Sequence, residues 1–309
     1  MKVLGWKNET TYGESLITPP DDWVFRFGKD NRNTEIPIPW EQYELTPVWD
    51  LGKPMATELI EGIPTLDDIR LKVSMVGAEE FRYLLGNVTA NVFTAGLAMP
   101  SRSVYIQTDF DDIVELSGCV TKSMDIFLDR GWTVDLEIRM MAATAHVIDE
   151  INGDGGDVAR YNSDLRSESP WGWSNRHESK LDAATIHGKG DITRIHFHVE
   201  NILNVFRDEG VPVNVKKKAT AVEVDFDITN ALPDNPIVAA MRTRAEDAFY
   251  YSFSRGTTDT LRFDAGGIRF GSMRAMDNPF DTQGTTYTVV GAALGADAFK
   301  VTINDGVTY

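Results

Sequence analysis

The segment Val222-Glu223-Val224-Asp225-Phe226-Asp227-Ile228 alternates apolar and acidic side chains. Successive side chains of a β-strand point to opposite faces of the sheet, so the apolar residues share one face and the carboxylates share the other. A strand with one buried face and one solvated face is typical of antiparallel sheets. The segment therefore predicts a half-buried strand with an acidic outer face.

The same alternation recurs along the chain from residue 68 onward. In two further segments Asp125 precedes Ile126, and Asp135 and Glu137 flank Leu136, so that acid again lies opposite the apolar face. The predicted strands span residues 69–73, 103–110, 114–120, 122–128, 134–140, 222–228, 249–254, 261–263, 268–270, 287–290 and 299–303. The chain is therefore expected to be mainly β.

Two predicted helices interrupt the strands at comparable places. Residues 77–86 put Phe81, Leu84 and Leu85 on one helical face before a glycine, and residues 235–248 carry apolar residues at helical spacing. The order of elements around each helix is the same, with an offset of about 150 residues, roughly one domain length. We expect two β-sandwich or barrel modules with one short helix each; one large β domain is the alternative.

The predicted organisation has four parts. Residues 1–60 form an arm with short strands, residues 61–150 a first module, residues 151–180 a linker or long surface loop, and residues 181–309 a second module. Repeated prolines break regular structure in the arm. Its tryptophans need a surface that buries them, which we expect to be a neighbouring subunit; they are Trp6, Trp23, Trp40 and Trp49.

Composition argues against several classes of protein. Of the 309 residues 42% are hydrophobic and 25% are charged, which is typical of a globular protein. No apolar run is long enough for a membrane span, and the N-terminus does not have the pattern of a secretory signal. The net charge of −17 disfavours tight binding to nucleic acid. The excess of aspartate over lysine suits adaptation to high salt, or a passage that must not retain a polyanion.

The sequence offers little catalytic or metal-binding chemistry. His196 and His198 share one face of a predicted strand and lie near His187, yet no third ligand has a persuasive spacing, so we expect neither a metal nor another cofactor. Residues 152–155 are similar to the start of a calcium loop, but the twelfth position counted from Glu150 is Tyr161 rather than glutamate. Cys119 lies in an apolar run and is expected to be a buried small side chain. No catalytic residue is therefore predicted.

Residues 5–13 open with a glycine and a tryptophan and continue with a Glu-x-Thr-x-Gly turn. Together with two further segments, they resemble the major tail tube proteins of long-tailed, siphovirus-like phages or archaeal viruses. Residues 118–131 begin with Gly118-Cys119-Val120 and precede an alternating strand, which is similar to the central hairpin of that family. Residues 200–204 are similar to an asparagine-containing segment of the same proteins.

The resemblance implies a structural virion protein rather than an enzyme. Such subunits assemble in the host cytoplasm into stacked rings that form the tail tube, through which the viral DNA passes without specific binding. Because the chain is long enough for two modules, a homotrimeric ring is expected, with a homohexamer as the alternative. The other expected partners are the tail terminator, baseplate and tape measure proteins, and no membrane is involved.

The acidic strands are the candidates for the inner wall of such a tube. The residues expected to line the bore are Glu223, Asp225, Asp227, Asp125, Asp135 and Glu137. An exterior position for the same carboxylates is the alternative. Two further interpretations of the whole chain stay open, namely another β-rich virion component of the baseplate, tail adaptor or capsid, and a β-rich glycoside hydrolase, because acidic β proteins contain many carboxylate pairs.

Overall fold

The structure is a computed structural model of the chain. It describes residues 4–13, 45–48, 58–61, 66–75, 77–107, 113–129, 133–148, 171–172, 176–181, 184–185, 191–208, 211–229, 243–244, 247–276, 286–293 and 299–306. These residues are mainly in β-strands, as the sequence predicts. No helix among them is long and apolar enough to span a membrane.

The described residues form one α-helix and a long series of strands. The helix, α1, spans Glu79–Leu85. The strands are β1 Leu4–Asn8, β2 Leu45–Val48, β3 Glu58–Glu61, β4 Leu66–Ser74, β5 Gly86–Thr89, β6 Val92–Ala95, β7 Arg102–Gln107, β8 Ile113–Asp129, β9 Val134–Ala142, β10 Thr144–Ile148, β11 Arg176–Leu181, β12 Ala184–Thr185, β13 Asp191–Asp208, β14 Val211–Thr229, β15 Asp247–Arg255, β16 Asp259–Met276, β17 Thr286–Ala293 and β18 Lys300–Asn304.

All of these strands except two belong to one antiparallel sheet. Its main order is β1-β7-β8-β13-β14-β17-β16-β15-β11-β12, while β9 pairs with β8 and β4 pairs with β9. The strand β10 pairs with β8, β18 pairs with β16, and β6 links β18 to β5. The strands β2 and β3 form a separate hairpin, which pairs with no other described strand.

The helix α1 ends where its sequence predicts. Gly86 adopts a left-handed conformation with a φ of 85°, and its N–H group donates to the carbonyl of Arg82. Glycine is the residue that accepts this conformation most easily, and a Cβ atom here would also lie only 2.1 Å from the carbonyl oxygen of Ala98. Glu79 and Glu80 occupy the first turn, where negative charge is favourable.

Two long strands pass from one layer of the fold to another. Residues 113–119 of β8 pair with β7 and β10, whereas its later residues pair with β9 and β13. In the same way, the first half of β16 pairs with β15 and β18, and residues 268–276 pair with β17. Each strand therefore contributes to both sides of a sandwich, so that the sheet folds over its own core.

The core lies between these layers. The ring centroid of Phe197 on β13 is 5.9 Å from that of Phe263 on β16 and 5.4 Å from that of Phe299. Phe81 of α1 also contacts Phe263, with centroids 5.9 Å apart. Because β13 and α1 both pack against the same phenylalanine, the two predicted modules share one continuous hydrophobic core.

The halves of the chain repeat one pattern of strand pairing. We call β4, β7, β8, β9 and β10 the first set, and β14 to β18 the second set. The β7–β8 pairing has the same register and the same bulge as the β15–β16 pairing, about 150 residues later, roughly one domain length. Each of three residue pairs in the first set has an equivalent in the second set. Arg102↔Cys119 corresponds to Asp247↔Ile268, Val104↔Leu116 to Phe249↔Ala265, and Met124↔Ile138 to Met273↔Val289.

Backbone irregularities repeat as well. Gly118 of β8 and Gly267 of β16 both have a left-handed φ, of 66° and 61°. Each is followed by a register shift at an equivalent place, at Lys122 in β8 and at Gly271 in β16. A bulge and a left-handed glycine both turn a strand out of its sheet, so they account for the change of layer in β8 and β16.

Several sequence predictions have a clear outcome. The helix over residues 77–86 is confirmed, with Phe81, Leu84 and Leu85 fully buried, and Cys119 is buried as expected. The second helix, predicted over residues 235–248, lies mostly outside the described residues; Thr243 is helical, and the last two residues belong to strand β15 instead.

The predicted boundaries between modules stay predictions, although hydrogen bonds between β8 and β13 cross them. The predicted linker over residues 151–180 contains the first part of β11 and the fully buried Trp171. The backbone of Trp171 donates to the carbonyl of Met75 and accepts from the N–H group of Val134. These two hydrogen bonds fix this part of the predicted loop against the sandwich.

Candidate functional site

The six acidic residues singled out from the sequence lie on one face of the sheet. We call this the polar face: the side chains of β9, β8, β13 and β14 that alternate with core residues. In one row across it, Asp125 of β8 lies between Glu137 of β9 and His198 of β13, and His198 is next to Glu223 of β14. Four neighbouring strands thus place titratable side chains side by side.

The next row repeats this arrangement one pleat away. Phe127 of β8 lies between Asp135 of β9 and His196 of β13, and His196 is next to Asp225 of β14. The rings of Phe127 and His196 stack, with centroids 4.7 Å apart and planes inclined by 4°. Asp227, the sixth predicted residue, pairs with Arg194 in the row beyond.

The centre of the polar face is a carboxylate bound by two imidazoles. The Oδ1 atom of Asp125 lies 2.8 Å from Nε2 of His196 and 2.7 Å from Nδ1 of His198. The other ring nitrogen of His196 lies 3.4 Å from Oδ2 of Asp225. Asp125 is only 8% exposed, and the two histidines supply the hydrogen bonds that such a largely buried carboxylate needs.

Mutual attraction shifts the pKa values in this cluster. Burial raises the pKa of Asp125, but the hydrogen bonds from His196 and His198 outweigh burial and hold that pKa well below its ordinary value. The hydrogen bond to Asp125 raises the pKa of His198 against the effect of burial, helped by Glu200 and Glu223. The geometry therefore favours a protonated His198 beside an ionised Asp125.

Cations on the same face neutralise part of its charge. Nζ of Lys72 lies 3.2 Å from Oε2 of Glu137, and Nε of Arg194 lies 3.5 Å from Oδ2 of Asp227. Burial and the negative charge of Asp135 raise the pKa of Asp129, although the nearby Arg194 lowers it. Negative charge therefore remains on this face. The face is acidic with interspersed cations, and not uniformly negative as the sequence pattern alone suggests.

No metal centre is evident in the part of the chain that the structure describes. Among those residues, no group of three or more His, Cys, Asp or Glu side chains has an arrangement that holds a metal ion. His187 and residues 152–157, which entered the metal hypotheses, lie outside the described residues. Burial raises the pKa of the Cys119 thiol, which disfavours the nucleophilic thiolate form.

The structure describes little of the four tryptophans in the predicted N-terminal arm, residues 1–60. The backbone of Trp6 lies in β1 and pairs with Val104 of β7, while its side chain is outside the described part of the structure. Trp23, Trp40 and Trp49 lie outside the described residues. Their proposed contacts with neighbouring subunits stay predictions.

The glutamate of the Glu-x-Thr-x-Gly turn joins two distant segments, a contact that the sequence did not predict. Oε1 of Glu9 accepts hydrogen bonds from the N–H group of Gly118 at 2.6 Å and from Oγ of Ser103 at 3.0 Å, and its Oε2 accepts one from the N–H group of Gly13. Gly118 is tightly confined, because a Cβ atom there would lie 2.6 Å from Cβ of Ala143. The segments at residues 5–13 and 118–131, which carry the resemblance, therefore contact each other.

A second feature missed from the sequence is a two-stranded extension. Residues 201–208 of β13 and 211–221 of β14, here called the hairpin arm, pair with each other beyond the point where β8 and β17 stop pairing with them. The arm has three of the exposed large hydrophobic side chains, 49–52% exposed; they are Ile202, Phe206 and Val213. Nζ of Lys216 lies 5.6 Å from the centre of the Phe206 ring.

The inner side of the hairpin arm binds the first set of strands. Nζ of Lys217 donates to the carbonyl oxygens of Leu84 and Leu85 at 3.0 Å each, and the side-chain amide of Asn201 donates to Leu84 and Thr121. The carbonyls of Leu84 and Leu85 lie at the C-terminus of α1, where they have no helical partners, and the carbonyl of Thr121 belongs to β8. Burial lowers the pKa of Lys217 to about 8.

Comparisons with known proteins do not identify the chain. No protein-family model and no curated protein sequence matches it.

Proposed function

We propose that this protein is a structural subunit that joins copies of itself into stacked rings, which form the tail tube of a long-tailed virus. The observation that carries the proposal is the repeated pairing pattern of the two strand sets. A chain that contains the same unit twice, joined through hydrogen-bonded strands, has a contact that further copies can repeat. Repetition of such a contact around an axis produces a closed ring.

The ends of the sheet support this proposal. Within the chain, β13 lies between β8 of the first set and β14 of the second set and pairs with both. Among the described strands, residues 270–276 of β16 pair with β17 alone, and β4 pairs with β9 alone. Strand edges that stay open pair with other chains, so proteins cover or close them. In a ring of this protein, neighbouring copies close both edges.

The repeat also favours a particular number of copies. Each chain supplies two equivalent strand sets, so three chains make a ring of six sets with near-sixfold symmetry. A homotrimer is therefore the proposed ring, and a homohexamer is the alternative. Tail terminator, baseplate and tape measure proteins are the partners that follow from this function, and the assembled virion is the proposed location.

The polar face is the proposed inner wall. Its carboxylates, repeated around each ring and along the stack, would repel the phosphates of DNA and prevent adsorption. At about 0.15 M salt this field extends only about 8 Å, so it acts close to the wall. The cations paired with Glu137 and Asp227 limit the field, which suits passage of DNA better than strong repulsion.

A charge reversal tests which way the polar face points. The triple change Glu223→Lys, Asp225→Lys and Asp227→Lys should slow or stall DNA ejection from otherwise normal tails, because phosphates would adsorb to the wall. Ejection is measured as DNA release with time from purified particles. A normal ejection rate, with these positions mapped to the outer surface of the tube, would contradict the bore assignment.

Electron microscopy of the purified protein, with mass measurement by light scattering, tests the function itself. The experiment is best run at low salt and in molar KCl, because the acidic composition predicts better stability in salt. Hollow tubes built of stacked rings are the expected result. Closed shells or single rings would support another virion component, and a monomer at every salt and protein concentration would refute self-assembly.

A further inference from the structure

The contact between the two strand sets inside one chain has two parts. The first is the strand β13, inserted between β8 and β14. The second is the hairpin arm, which packs on the β8–β9 pair: Val215 belongs to one buried cluster with Val120 and Met141, which are paired with each other on β8 and β9. The arm of the second set thus docks on the first set.

The first set has a hairpin at the equivalent place in the chain. Leu71 of β4 pairs with Ile138 as Phe226 of β14 pairs with Val289, so Leu71 and Phe226 are equivalent. The hairpin β2–β3 precedes β4, and its residue Ile60 lies as far before Leu71 as Val215 lies before Phe226.

Both positions lie in an antiparallel hairpin just before the equivalent strand. Ile60 pairs with Thr46 on β2, and Val215 pairs with Val205 in the hairpin arm. The β2–β3 hairpin is therefore the counterpart of the hairpin arm.

The hairpin arm shows where such a hairpin can dock. It packs on the β8–β9 pair through Val215 and, like β2–β3, pairs with no other described strand. The register locates the equivalent surface on the second set. The hairpin arm packs at Val120↔Met141 on β8 and β9, and this pair corresponds to Arg269↔Ala292 on β16 and β17. Among the described residues, no further strand set precedes the first set, so β16–β17 of another copy is the surface on which β2–β3 would complete the pattern.

We infer that the β2–β3 hairpin of one copy docks on the β16–β17 pair of the next copy, at Arg269 and Ala292. This contact repeats between chains the contact that the hairpin arm makes within a chain. Charge supports it, since Glu58 shares the face of Ile60 on β3 and the docking position carries Arg269. The inference rests on the proposed function, because it names the surfaces through which successive copies meet.

Disulfide trapping in the assembled protein tests the contact. The only native cysteine, Cys119, is buried, so any disulfide that forms is expected to join the introduced cysteines. The variant Ile60→Cys/Ala292→Cys should form disulfides between chains under mild oxidation. In a closed ring of three, the end product on a denaturing gel is a covalent trimer; a covalent hexamer would equally support the docking, in the larger ring.

Two matched variants make the result specific. Leu59→Cys/Ala292→Cys moves the hairpin cysteine to the neighbouring residue, whose side chain takes the opposite face of the strand, and should crosslink much less. Met141→Cys/Val215→Cys reports the contact within the chain and should give an oxidised monomer. Thermal melting of each reduced variant shows whether it folds like the wild type.

The outcomes separate this inference from the proposed function. Rings or tubes in which the Ile60→Cys/Ala292→Cys variant crosslinks no better than the Leu59→Cys control would overturn the docking and leave self-assembly in place. A disulfide between positions 60 and 292 within one chain would also overturn it. A protein that stays monomeric by light scattering would overturn the proposed function, and the docking with it.

Discussion

The strands β8 and β16 have the same backbone plan in different surroundings. Both carry a left-handed glycine and then a bulge, and both change layers at that point. Beyond the bulge, β8 pairs on both edges, with β9 and β13, whereas β16 pairs with β17 alone among the described strands. In the proposed ring, this edge of β16 is the one that another copy of the chain would cover.

The side chains of the two sets have diverged while the pairing has not. Arg102 of the first set and Asp247 of the second set occupy equivalent register positions, although their charges are opposite. Both Arg102 side-chain amino groups donate to the carboxylate of Glu80 at 2.7 Å, and its guanidinium carbon lies 4.2 Å from the centre of the Tyr83 ring. The first set therefore holds α1 in place through a buried ion pair.

Breaking that ion pair should have the largest effect on stability. Arg102→Met leaves the carboxylate of Glu80 buried without its cation, a change that typically costs about 3–5 kcal/mol. Urea unfolding of the dissociated subunit, followed by fluorescence, measures the loss. The double variant Arg102→Met/Glu80→Leu should recover most of it, since no charge is then left buried.

An exposed ion pair provides the control for this change. Arg262 and Asp264 form a pair on β16 in which the arginine side chain is 45% exposed. Arg262→Met should cost only about 0–1 kcal/mol, because solvent screens this pair. Equal losses in Arg102→Met and Arg262→Met would contradict the role assigned to the buried pair.

The glycine at the bend of β8 should show the next largest effect. Gly118→Ala adds the strain of a left-handed φ, about 1–2 kcal/mol, and places a Cβ atom 2.6 Å from Ala143. Gly256 has a φ of 64° but no atom within 4 Å of an added Cβ, so Gly256→Ala carries the strain alone. Gly118→Ala should therefore be the more destabilising by urea unfolding; similar losses would show that the bend tolerates a side chain.

The sequence predicts those features that depend on local periodicity. The alternation around Asp125, Asp135 and Asp225 places their side chains opposite the core. A half-buried strand must turn its apolar face inward, and this fixes which face the carboxylates take. The first helix is predictable for the same reason, because its apolar spacing and terminal Gly86 agree. Burial of one face therefore suffices to identify these elements.

Features that depend on contacts between distant segments were not predictable. The carboxylate of Glu9 reaches Gly118 across more than a hundred residues, and nothing in the local sequence indicates that contact. The hairpin arm is similar, since nothing in the local sequence around Lys217 indicates that its amino group reaches the carbonyls of α1. The register between β8 and β13 brings His196, His198 and Asp125 together, and only the tertiary fold sets that register.

The histidine cluster should give the smallest effect, seen as a dependence of stability on pH. The folded-state pKa of His198 is raised, so its contribution is fully present below its ordinary pKa of about 6.5 and is lost as pH rises through the raised value. The pKa of Asp125 is lowered, so its contribution is present above about 3.8 and is lost as pH falls. Stability from this cluster should be greatest between these limits.

A variant isolates the contribution of His198. His198→Gln should lose about 0.5–1.5 kcal/mol, the usual net value of one hydrogen bond, at pH 5–6, and should lack the decline of the wild type at higher pH. His177→Gln on β11, outside the polar face, is the control. Melting temperatures measured across pH 4–9 give the profiles, and an unchanged profile in His198→Gln would show that the cluster is not a titrating unit.

Hydrogen–deuterium exchange of the strand edges tests the central claim most directly. In dissociated subunits, amides of residues 270–276 should exchange faster than those of residues 123–129, because β8 pairs on both edges there and β16 on one among the described strands. On assembly, exchange over residues 270–276 should slow by at least about tenfold, as the next copy closes that edge. Assembled tubes in which residues 270–276 exchange as fast as in the free subunit would contradict the account.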